Sequence, residues 1–479
     1  MTVPMPIEDK PVREALFQFV FPFSLEHRCQ SALREMLLED GYLPFRLDET
    51  SLESAFYGPG RRISHRDMER YYLPFTNQVL FPLDNNPESF RRLSKKLALR
   101  ASLISRLGRR DFVIHSLDVF LCPFDTGFLT LRAELSGETP SFSQAIEFAD
   151  RFRSLQDTNR QDRETFVQYG NNRYEEIDGF LFQELVPQVL PFLDMTAMEG
   201  SYFEELPFLM DERMFAIAFY RFPEGTEITT LDRYRAARVD GLDEHGRPAV
   251  SATHMPYIED YCSRYGYERW APYTYFMTDD NCFCCLTNDS EAQAASLTSR
   301  LYGEYYYGLL LNLFHRIVLL KLSNAYSHVQ LERKEEHTVE LIRDITAYAA
   351  KYNFVEVVAQ TAGREIFVQL RKVYRHDELF TDVKQTLNDL YKYQEMRSQQ
   401  RSGYLLTILT IYAVVSGIYG MNQVIDDLKT GLHWSVVRGY SLFEWIALAV
   451  TLSGLAVAVA LTSNVLYKWA KDGIRRRQR

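Results

Sequence analysis

SGIYGMNQ, Ser416 to Gln423, closes a run from Ser402 to Ile425 that contains no charged side chain. A second such run, Trp445–Tyr467, lies close to the end of the chain. About 20 apolar residues cover about 30 Å of hydrocarbon, and both runs exceed that length, so the sequence predicts two membrane spans. Asp426–Glu444 joins them as a short loop of mixed charge. Arg397 and Arg401 precede the first span, while Lys468, Lys471 and Arg475–Arg479 follow the second. The positive-inside rule then places both chain ends in the cytoplasm and the loop outside. Trp434, Tyr440 and Trp445 suit the outer interface, and Tyr467 and Trp469 the inner. The expected location is the cell (inner) membrane, multi-pass.

The rest of the chain reads as globular. Of 479 residues, 46% are hydrophobic and 25% charged, ordinary values for packed domains. A mean hydropathy of -0.25 argues against a polytopic protein. The net charge of -10 disfavours nucleic acid as a partner. Cys282, Cys284 and Cys285 cluster, but no histidine is near, and YTYFMTDDNCFCCLT (Tyr273–Thr287) reads as strand, turn, strand. Free thiols of this kind fit a reducing compartment.

Residues 1–300 mix helix and strand signals and predict a cytoplasmic α/β (α+β) domain. Strands are expected at Leu16–Phe21, Phe112–Leu121, Phe128–Leu135, Met214–Phe222, Tyr273–Thr278 and Cys282–Thr287. CPFDTG between the second and third of these predicts a hairpin. Helices are expected at Glu26–Asp40, Asn86–Leu107, Phe142–Leu155 and Asp157–Gln168. Residues 301–401 are read as helical. Within them Leu379, Val383, Leu387, Leu390 and Tyr393 advance by threes and fours, the mark of one helical face. Without an intervening proline, this predicts a single rod from about Arg364 into the first span. Spans 402–425 and 445–467, the loop 426–444 and a basic cytoplasmic tail 468–479 complete the division.

GIYGMN, at the outer end of the first uncharged run and followed by a second run and the basic tail, resembles the CorA family of divalent-cation channels and transporters. LLTILTIYAVVSGIYGMN, Leu405–Asn422, looks like that family's first membrane helix. The resemblance covers about Arg364–Arg479. It implies a homopentamer in a lipid bilayer, with the first helices around one pore and Gly420, Met421 and Asn422 at its outer mouth. Gln399, Ser402, Leu406, Thr410, Ala413 and Gly417 would then face the axis. Five neutral carboxamides suit a cation that keeps its water, as Mg²⁺ does, because permeation needs weak binding. Asp426 and Asp427 in the loop would concentrate cations, and Leu406 would form a hydrophobic constriction. Asp382 and Asp389, seven apart on one helix face, are candidate regulatory Mg²⁺ ligands.

The chain departs from the family pattern in places. Ile411 stands where a proline is usual, Ala413 where a threonine is, and QVIDDLKTG replaces the Met-Pro-Glu-Leu element after the motif. These differences bear on the ion, with Co²⁺ or Ni²⁺ as further candidates and Zn²⁺ passage by the related branch as a neighbour. They also motivate a competing reading, a membrane-anchored binding or signalling protein that does not conduct. An enzyme is not expected: no GxSxG, Walker A, HExxH or GxGxxG run is present.

Overall fold

The structure, a computed structural model, describes residues 7–83, 86–156, 164–198, 212–332, 335–354 and 356–430, and of 439–459 all but 444, 447, 450, 451, 455, 457 and 458. The chain divides into two compact units, Met1–Thr386 and Leu387–Arg479. The first is built on one sheet of eleven strands: β1 Glu14–Ser24, β2 Leu43–Pro44, β3 Arg91–Ser105, β4 Gly108–Cys122, β5 Thr126–Leu135, β6 Phe166–Tyr169, β7 Asn172–Tyr174, β8 Phe215–Arg221, β9 Gly266–Trp270, β10 Thr274–Thr278 and β11 Cys282–Thr287. Their order is β7-β6-β3-β4-β5-β1-β8-β11-β10-β9, with β2 beside β3. Neighbours are antiparallel except β8 and β11, which run parallel. The helices are α1 Gln30–Glu39, α2 His65–Tyr71, α3 Pro74–Leu80, α4 Phe142–Arg153, α5 Ile177–Gly179, α6 Thr230–Arg238, α7 Met255–Tyr265, α8 Glu291–Tyr302, α9 Glu304–Glu332, α10 Glu335–Lys351, α11 Thr361–Val373 and α12 His376–Thr430.

β1 shows why both sheet faces are covered. Its alternate residues Phe17 and Phe19 pack at a tilt against Phe148 and Phe152 of α4, at centroid distances of 5.3 and 4.9 Å. Gln18, on the opposite face, donates to the Leu301 carbonyl of α8 at 3.3 Å. With side chains alternating across the pleat, each face needs its own apolar cover. α4, α6 and α7 pack against one face, and α8 and α9 supply the other. α9 is buried on nearly all sides over Tyr305–Phe314 because α8, α10 and α11 pack around it. The Phe112–Leu121 and Phe128–Leu135 hairpin forms as expected, and the cysteine segment is the β10–β11 hairpin with every thiol free. At Gly127 the hairpin meets β1 so closely that a Cβ would lie 2.4 Å from the Phe23 ring and 2.7 Å from the Phe120 carbonyl. Gly127→Ala should cost about 1–3 kcal/mol, read as a lowered urea midpoint; an unchanged midpoint would mean Phe23 yields freely.

Several expectations are corrected. Asn86–Leu107 is not a helix; it is mostly β3. Its Lys, Leu, Ala and Arg residues favour helix locally, but pairing with β4 from Arg91 to Ser105 overrides that preference. The end of the helix expected at Asp157–Gln168 is strand instead, since Phe166–Tyr169 forms β6, while 157–163 lie outside the described residues. The single rod from Arg364 is two helices, because Arg375 adopts a left-handed φ of 52° between α11 and α12.

The larger correction concerns the membrane. Among the described residues no helix is long and apolar enough to cross one. The chain is therefore described as mixed α/β around a large sheet, and neither the two-span CorA-like architecture nor a multi-pass inner-membrane location follows from it. The described residues of the second run, up to 459, are helical, and the basic tail 468–479 lies outside the described residues.

Candidate functional site

α12 carries every residue the sequence put forward for cation passage. Gln399, Ser402, Leu406, Thr410, Ala413 and Gly417 fall at helical spacing along one stripe, and all six are exposed in the single chain, Leu406 to 66%. The Thr410 hydroxyl donates to the Leu406 carbonyl at 2.7 Å and Thr407 to Gly403 at 2.9 Å. This i−4 back-bonding satisfies the hydroxyl protons inside the helix and leaves oxygen lone pairs outward. The helical backbone continues through Gly420, Met421 and Asn422, then Asp426 and Asp427, to Thr430; the side chains of these five lie outside the described residues.

A different stripe of α12 meets the second uncharged run. The Tyr412 hydroxyl lies 3.3 Å from Ser453 Oγ, and a Cβ on Gly454 would stand 3.2 Å from Ser416 Oγ. Small residues at this crossing let the two segments approach closely. Asp382 and Asp389 are exposed; Asp382 accepts from Ser323 at 3.3 Å, and Asp389 is 3.7 Å from Lys392. Among the described residues no group of three or more His, Cys, Asp or Glu is arranged to hold a metal.

The tertiary structure assembles two polar clusters that the sequence kept apart. In the first, Asp118 of β4 lies beside Arg132 of β5 at 2.6 Å and Arg92 of β3 at 3.2 Å, all three within 2% exposure. Arg132 Nη1 is close to Asp118 Oδ2 without hydrogen-bond alignment, so that contact is ionic. Asp118 Oδ1 accepts from Ser94 at 2.7 Å. The second guanidinium charge is met by aromatic faces: Arg92 lies 4.1 Å from the Phe45 centroid, and Arg132 5.1 and 5.2 Å from Tyr57 and Tyr306. In the second cluster Tyr348 Oη is 2.9 Å from His315 Nδ1 and 3.2 Å from His376 Nε2, joining α9, α10 and the start of α12. Burial pushes both imidazoles down in pKa, so they are held neutral. These residues are 33 and 28 positions apart, and no local pattern marks them.

The first unit also holds a cleft of about 1180 Å³ between α9, α10 and the β4–β5 turn. No sequence signal announced it, since its walls come from five separate stretches of chain. Compared with known proteins, the chain matches no family model, no curated protein and no solved structure.

Proposed function

We propose that the protein passes hydrated divalent cations, Mg²⁺ first, along an axis shared by several copies of α12, with Asn422 carboxamides at one end. The observation that supports this most is the uncharged stripe from Gln399 to Gly417: six residues, all exposed among the described residues of the single chain. A contiguous exposed apolar and hydroxyl face needs a cover, and copies of the same helix are a chemically matched one. The resemblance of GIYGMN to the CorA motif points the same way, and a ring of neutral oxygens is suited to an ion that sheds water reluctantly. The homopentamer, and Co²⁺ or Ni²⁺ as further cargo, belong to this proposal.

The test is Mg²⁺ uptake into liposomes holding purified protein, with Asn422→Ala beside it. Expected is uptake that the variant alters by about tenfold or more, from a protein whose mass in detergent is several times that of one chain. Because uptake needs a path through lipid, its absence for every divalent ion ends this reading. Equal uptake by the two proteins would remove Asn422 from it. A non-conducting ligand-binding role is the second reading, and the cleft in the first unit is the observation that favours it.

A further inference from the structure

We propose that the cleft between α9, α10 and the β4–β5 turn binds a soluble organophosphate of nucleotide size, its phosphates held by Arg91 and Arg28 and its ring system by Phe124 and Tyr352. The inference rests on the second reading above, that this unit binds a ligand, and is independent of cation passage.

Most charges in the cleft are already used. Lys321 donates to Ser24 Oγ at 2.8 Å and to the Phe124 and Asp125 carbonyls at 3.0 and 3.3 Å, which occupies its three protons and ties α9 to the turn. Lys351 pairs with Glu88 at 2.5 Å, and His27 meets Asp125 at 3.0 Å. Arg343 is flanked by Glu340 and Asp344, and burial raises the Asp344 pKa. Two guanidinium groups remain. Arg28 is exposed and has no ion pair among the described residues, and neither does Arg91.

Arg91 is the telling one. Only 9% of it is exposed, and its Nε is buried with no hydrogen-bond partner. Burying a guanidinium without a carboxylate is costly, and here the positive charge of Arg34 raises that cost. Yet the side chain is held in place: Gln30 Oε1 accepts from Arg91 Nη2, while Gln30 Nε2 donates to the Cys122 carbonyl at 2.8 Å. A fixed, desolvated and unpaired guanidinium lining an open cleft is what an anion-binding site requires.

The size argues for more than a simple anion. Phosphate alone would leave most of 1180 Å³ unfilled. Away from the arginines the walls are Val318, Leu322, Phe124 and Tyr352. Phe124 and Asp125 both take left-handed φ, 62° and 51°, which is uncommon for a residue as bulky as phenylalanine. That backbone sets Phe124 against Tyr352 at 5.5 Å, edge to face, making an aromatic corner in the cleft. Planar heterocycles stack on such rings.

The experiment is calorimetric titration of the purified full chain, without added Mg²⁺, with ATP, AMP, adenosine and inorganic phosphate. Expected is ATP binding with a Kd on the order of 1–100 μM. Adenosine and phosphate should each bind at least about tenfold more weakly than ATP. Arg91→Gln and Arg28→Gln should each weaken ATP by about tenfold or more. Arg28→Gln, at an exposed position, should keep the wild-type melting temperature without ligand. No binding of ATP by the wild type, adenosine equal to ATP, or wild-type affinity in both variants would overturn the proposal. Phosphate equal to ATP would overturn the nucleotide-sized occupant. Asn422→Ala keeps ATP affinity whichever way the uptake test falls, so the two readings fail separately.

Discussion

Asp118→Ala is expected to cost about 3–5 kcal/mol and, in a protein of ordinary stability, to leave little folded chain at 37 °C. The carboxylate sits between two guanidinium groups that are themselves almost wholly buried. Removing it leaves Arg92 and Arg132 as two positive charges in the sheet interior, with only neutral partners, the rings and the hydroxyls of Ser94, Tyr307 and Ser116, as compensation, and frees the Ser94 hydroxyl from its acceptor. The loss is therefore chiefly that of stranded charge. Chemical unfolding followed by far-UV circular dichroism measures it. Matching midpoints for Asp118→Ala and wild type would mean that the aromatic cage, and not the carboxylate, holds the arginines.

Glu304→Gln should act in the other direction. Glu304 opens α9, is 8% exposed, and burial raises its carboxyl pKa from 4.5 to about 7 against the opposing charge of Arg300. A carboxyl that binds its proton more tightly folded than unfolded favours the fold below pH 4.5. That advantage is lost as pH rises through 7, where folding must bury a charged group. At about 1.4 kcal/mol per pKa unit the full cost is about 3.5 kcal/mol. The glutamine variant should therefore match wild type near pH 4.5 and exceed it progressively up to pH 8. A stability difference that stays flat across this range would show that Glu304 does not titrate there.

Much of the fold was legible where local pattern and burial agree. The β1, β4, β5, β8, β10 and β11 strands were all expected, because runs such as FQFVF and VIHSLDVFL are apolar enough to be buried on both faces. β3 was not, since KKLALR carries helix-favouring residues and only the partner strand makes it extended. The candidate stripe on α12 follows from the resemblance, carried back along the helix by threes and fours, and the structure leaves it exposed in the single chain. Whether Gly420–Asn422 gather around an axis concerns several chains, and a pattern within one chain speaks to it only by resemblance.

What the sequence by itself determined is therefore periodic and short in range: which segments alternate, which repeat by threes and fours, where the uncharged runs lie, and that GIYGMN ends one of them. The tertiary structure alone decided which distant polar groups meet. Asp118 with Arg132 and Arg92, His315 with His376, and the unpaired Arg91 in its cleft are products of strands and helices packing. The physical reason is that a charge's energy depends on the partners and water within a few ångströms of it, and those neighbours are set by the fold rather than by position along the chain.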